Sequence, residues 1–135
     1  MNRPFLAHSL ALVAALVALL VVSGLWILNL RAGPRPEGFT GGAMVVFLPA
    51  VLLAVTVFWL VVRAVLRVRW NALLVIGAVL VIAVLVTAAY CGPVACFVPG
   101  TNRLAGWFIE GGAVAIALAH HFVLNRFGGT HAAKT

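Results

Sequence analysis

The sequence predicts an all-α integral membrane protein, a four-transmembrane-helix bundle with both termini on the cytoplasmic side. Three observations carry that expectation. Residues 4–30, 38–62 and 70–102 contain no Lys, Arg, Asp or Glu, and 104–125 contain only Glu110. Crossing the hydrocarbon of a bilayer takes about 20 apolar residues per helix, and each run supplies that length. A soluble domain carries about 25% charged residues, against 8% here. The mean hydropathy of the 135-residue chain is +1.22.

The first span is expected over residues 5–30. Arg3 gives a short basic start, and Pro4 suits a first helical turn. A secretory signal ending near Ser23 is the competing reading. Against it, the apolar run continues through Gly24, Leu25, Trp26, Ile27 and Leu28, beyond the roughly 7–15 residues of a secretory apolar region. Gly33, Pro34, Pro36, Gly38, Gly41 and Gly42 then mark a turn-rich connection. The second span is expected over 43–62, with Pro49 inside it. Membrane helices tolerate such a proline.

Arg63, Arg67 and Arg69 form a basic turn. Trp70 and Asn71 open the third span, expected over 70–90. The segment Cys91-Gly92-Pro93-Val94-Ala95-Cys96-Phe97-Val98-Pro99-Gly100 is expected to be a compact loop, because its prolines and glycines argue against continued helix. The fourth span is expected over 103–125. The segments between spans are too short to build a core of their own, so one transmembrane domain, 1–135, is predicted.

Arginine placement sets the expected orientation. With the N-terminus inside, one side holds Arg3, Arg63, Arg67, Arg69, Arg126 and Lys134, and the other Arg31, Arg35 and Arg103. The positive-inside rule favours the first side as cytoplasmic. Trp26, Trp59, Trp70, Tyr90 and Trp107 fall near span ends, where aromatic belts lie. Small residues repeat at four-residue spacing in Ala7, Ala11 and Ala15, in Ala14 and Ala18, and in Gly111, Ala115 and Ala119. That spacing lets helix backbones approach, and these stripes are read as packing faces. The net charge of +7 is scattered between apolar runs, so no nucleic-acid partner is expected. Richness in Ala, Val, Leu and Arg points to a GC-rich bacterial genome and a multi-pass inner-membrane location.

Few residues can carry chemistry. Cys91 and Cys96 would lie on the outer, oxidising side. Their spacing lets two Cα atoms come within the roughly 4.4–6.8 Å of a disulfide. Structural stapling is one reading. Thiol exchange, with Arg103 as the activating cation, is another. Two thiols alone do not make a zinc site, so no metal is expected.

Glu110 is the one carboxylate within a span, which makes it a functional candidate. It lies seven residues beyond Arg103, on the same helix face. His121 lies eleven residues beyond Glu110, within about 20° of that face. Glu110, Ala113, Ala117 and His121 form a stripe that suits a proton or cation path. His8 with His120 or His121 offers two imidazoles on different helices, a candidate axial pair for haem iron. No cofactor is firmly implied.

Three functions follow in order of expectation. The first is a non-catalytic subunit or assembly partner of a larger membrane complex, in contact with lipid and with other subunits or copies of itself. The second is a small oligomeric proton- or ion-coupled transporter or channel using Glu110 and His121, with Arg103 nearby. The third is a thiol, quinone or haem redox protein. No catalytic constellation is present, so enzymatic activity is not the expected role.

Overall fold

A computed structural model describes residues 3–32, 41–66, 68–95 and 103–128. Every regular element among them is helical: α1 (Arg3–Ala32), α2 (Gly41–Val65), α3 (Ala72–Ala95) and α4 (Arg103–Gly128). All four are long and apolar enough to cross a membrane, the pattern of a multi-pass membrane protein. Such helices satisfy their backbone N–H and C=O groups internally, which hydrocarbon requires. Two hydroxyls do the same. Ser9 Oγ donates to the Phe5 carbonyl at 2.9 Å, and Thr56 Oγ1 donates to the Leu52 carbonyl at 2.7 Å.

The element ends follow local chemistry. Asn71 caps α3, its Oδ1 accepting from the Leu74 N–H at 2.8 Å. A side-chain acceptor at this position satisfies one of the orphan amides of the first turn. Pro49 is carried inside α2. It has no N–H for the Val45 carbonyl, a loss of one bond within a long helix.

Most boundaries move by two or three residues, which places Arg31 inside α1 and Arg63, expected in the basic turn, inside α2; one differs further. Residues 91–95, read as loop, continue α3 as helix through Gly92 and Pro93 to Ala95. Pro93 sits in the last turn, so it removes a single bond where the helix is already ending.

The chain runs up and down four times. Gly128 lies against Ala7, where an added Cβ would be 3.9 Å from the Ala7 Cβ. Trp26 meets Phe108 near the other end of the pair, with ring centroids 5.2 Å apart. α1 and α4 are therefore antiparallel, and the start of α1 and the end of α4 lie at one end of the bundle. α4 packs on all three other helices, most extensively on α1, and α2 touches α1, α3 and α4. Among the described residues α1 and α3 do not pack together. They occupy opposite corners.

The core sits where α2 faces its neighbours. Leu48, Val51, Leu52, Val55 and Trp59 line one side of α2. They meet Val75, Val79, Ala83 and Val86 of α3, and Ile109, Ala113, Ile116 and Ala117 of α4. Ala7, Ala11 and Ala15 are buried, as the α1 stripe predicts. The α4 stripe is different. Gly111 and Ala115 face outward and Ala119 is only half-buried. The close approach falls one residue later, at Gly112. An added Cβ there would lie 2.7 Å from Val22 Cγ1 of α1 and 3.4 Å from Leu52 Cδ2 of α2.

The aromatic expectation also changes in part. Trp107 is 71% exposed, but Trp26 and Trp59 are turned into the bundle.

Candidate functional site

The most polar place in the described bundle is the end where α1 begins and α4 finishes. Parts of α1, α2 and α4 and the residues that open α3 meet there. α2 contributes Trp59 and Arg63 from its last turns. α4 contributes His120, His121 and Asn125. Trp70 enters just ahead of the Asn71 cap, and His8 lies on the first turns of α1.

Arg63 organises the cluster. Its Nη1 lies 3.1 Å from His121 Nδ1. Its guanidinium carbon lies 5.7 Å from the centre of the Trp59 ring. A cation over an indole face is attracted by the ring quadrupole. Trp59 in turn meets Trp70 edge to face, with centroids 5.0 Å apart at 79°.

Hydrogen-bond bookkeeping fixes the imidazole. A guanidinium has donors only, so Nδ1 of His121 accepts from Arg63. Nε2 of a neutral ring then carries the hydrogen. Asn125 Nδ2 stands 3.0 Å from that Nε2, and two N–H donors cannot bond each other. Amide oxygen and nitrogen are assigned from the network they join, and here Asn125 Oδ1 must be the atom that accepts from Nε2–H. His121 is thereby bonded at both nitrogens and held in one tautomer.

His120 is the opposite case. Its side chain is 4% exposed, and His8 and Arg63 lie within electrostatic range of it. Yet its Nδ1 is buried with no hydrogen-bond partner. The indole Nε1 atoms of Trp59 and Trp70 are in the same condition. A buried polar group without a partner costs about 1–3 kcal/mol, so three in one cluster mark a place where the protein itself leaves hydrogen bonding incomplete.

The expected site residues separate into three groups. His8, His120 and His121 come to this one end, with His8 exposed and the other two buried. Glu110 lies on the same edge of α4 as His121, but eleven residues earlier, about 16 Å along the axis. It is exposed, whereas Ala113, Ala117 and His121 are buried. The stripe is a covered face whose outermost member is uncovered. Glu110 has no hydrogen-bond or ion-pair partner among the described residues. The third group is Cys91, Cys96 and Arg103. Cys91 lies in the last turns of α3 and Arg103 opens α4. Their side chains and the whole of Cys96 fall outside the described residues, and so does any Cys91–Cys96 bond. No group of three or more His, Cys, Asp or Glu that could hold a metal occurs among the described residues.

Sequence reasoning missed Arg63, Asn125, Trp59 and Trp70 as members of the cluster. Asn125 carried a usable signal, since it lies four residues from His121 on one helix face. Arg63 lies in a different helix, and nothing in the sequence pairs it with His121.

No family profile, curated protein or solved structure matches this chain.

Proposed function

We propose that this chain is a multi-pass protein of a bacterial inner membrane, with both termini in the cytoplasm. In that membrane it serves as a non-catalytic subunit or assembly partner of a larger complex. The orientation rests on the excess of Lys and Arg at the end with the termini. The role rests on one observation, the outward face of α4. Glu110 is exposed within a membrane-length helix, at the flank of the outward face that carries Gly111 and, further round, Ala115.

A carboxylate facing hydrocarbon is costly, about 2.5–3.5 kcal/mol for an acidic residue at the helix centre and less toward the ends. Gly111 has open space around it. A helix from another polypeptide can approach closely over Gly111 and Ala115. In that position it shields Glu110 from lipid and offers it a hydrogen-bond donor.

A photo-crosslinking residue placed at Ala115 in intact membranes tests this reading. The expected product is an adduct with a second membrane polypeptide that also copurifies in mild detergent. Adducts with lipid alone would overturn it. A copurifying partner that is lost in Glu110→Gln would locate the contact at that carboxylate.

A further inference from the structure

The cluster at the terminal end has donors in excess. Arg63 holds five N–H groups and gives one to His121. No carboxylate lies among the described residues at this end, since Glu110 is about 16 Å up the helix. The Trp59 and Trp70 indoles can only donate, and both Nε1 atoms are buried and unpaired. His120 Nδ1 is likewise unpaired and its side chain almost fully buried.

These groups are linked in space. Arg63 stacks on Trp59, Trp59 abuts Trp70, and Arg63 is bonded to His121, the neighbour of His120. The bond to His121 also pins the guanidinium, so its remaining donors are held in a set direction.

We propose that this end of the bundle binds a phosphate-bearing anion, with Arg63 as the charged contact. The Trp59 and Trp70 N–H groups, and His120 in its Nδ1–H tautomer, are the neutral donors. The chemistry selects the ligand. Several unpaired donors carried by neighbouring elements match a group with three or more acceptor oxygens better than a two-oxygen carboxylate. A guanidinium binds phosphate in a bidentate way. Arg69, one residue before Trp70, adds a second positive charge at the rim. Two sources supply such a group at a helix end, a phospholipid headgroup and free phosphate in the adjoining solution.

Fluorescence in maltoside micelles, which contain no phosphate, tests the site. In a Trp26→Phe, Trp107→Phe background only Trp59 and Trp70 report. Three probes are titrated: dioctanoyl phosphatidylglycerol, dioctanoyl glycerol with the same chains and no phosphate, and sodium phosphate. The expected result is a saturable change in indole emission with a phosphate-bearing probe and none with dioctanoyl glycerol. Response to the phospholipid alone assigns a headgroup site. Equal response to sodium phosphate assigns a free-ion site. Arg63→Gln, which keeps a donor for His121, is expected to weaken binding by about tenfold or more, the loss of a charge-assisted hydrogen bond. Arg31→Gln at the opposite end leaves binding unchanged.

Equal responses to phosphatidylglycerol and dioctanoyl glycerol would overturn the proposal. So would binding that survives Arg63→Gln undiminished, or saturable binding of a neutral carbonyl ligand such as a short-chain quinone with none of phosphate. If Arg63→Gln does not fold, the comparison of the three probes on the otherwise unaltered chain still decides the matter.

Discussion

At the end of the bundle where α1 begins and α4 finishes, Arg63 is bonded to His121 and stacked on Trp59. At the other end Glu110 faces outward, without a partner among the described residues. Both are single charges near the ends of membrane-length helices. One is gathered into the chain's own packing, and the other is left for something outside it. The difference comes from which helices cover α4. α2 lies against it from His121, held by Arg63, as far as Gly112 and Ile109. Glu110 falls between those two buried residues but on an edge of α4 that no described helix covers. Charge in a bundle of this size is handled by local coverage rather than by depth alone.

The sharpest way to break the comparison is to remove the aromatic floor under Arg63. Trp59→Ala is expected to destabilise the bundle by about 3–5 kcal/mol, the usual range for a buried tryptophan. Trp107→Ala, at a 71% exposed position, is expected to stay within about 0.5 kcal/mol of the parent. SDS titration followed by far-ultraviolet circular dichroism measures both. Equal losses would mean the two ends are packed alike.

Arg63→Leu comes next. It strands Nδ1 of His121 and is expected to cost about 1.5–3 kcal/mol, toward the low end because Arg63 is only half-buried. Arg126→Leu, on the exposed surface of α4, serves as the control and is expected to be near neutral in the same titration.

Two residues beyond Glu110, on the covered side of α4, Gly112→Ala forces a Cβ to within 2.7 Å of Val22 Cγ1. Overpacking of this kind costs about 1–3 kcal/mol. Val22→Ala in the same chain is expected to recover most of it. Gly111→Ala, one residue away and facing open space, is expected to leave thermal unfolding in detergent unchanged.

The smallest effect belongs to Glu110. Glu110→Gln is expected to alter the stability of the isolated bundle by no more than about 0.5 kcal/mol. A drop of several kcal/mol would show that Glu110 is held by its own chain after all, and the contrast between the ends would disappear.

The helices were readable from the sequence because charge-free runs and their breaks are a one-dimensional signal. The α1 alanine stripe was readable too, since Ala7, Ala11 and Ala15 recur at four-residue spacing along one side of the helix. The α4 stripe misled for a physical reason. In a helix apolar on every side, hydrophobic periodicity no longer marks the inward face. Only size and polarity remain, and α4 has small residues all round. Gly112 and Gly111 differ by one position and lie about 100° apart, so nothing but the neighbouring helices says which one faces Val22. The Arg63–His121 bond was hidden for the same reason, since its partners are 58 residues apart. The burial of Trp59 ran against the usual belt position because Arg63 and Trp70 close over it. Helix continuation through Pro93 was missed because loop chemistry outweighs helix chemistry when only composition is read.

The largest contact in the bundle joins the first helix to the last. During synthesis α1 reaches the lipid long before α4 exists, and of the helices made in the meantime only α2 touches it. The part of its alanine seam that α4 covers therefore stays open until α4 has been made. Closure of this protein is a late event, and a factor that shelters small-residue seams in nascent membrane chains would find its binding surface on α1 for most of that interval.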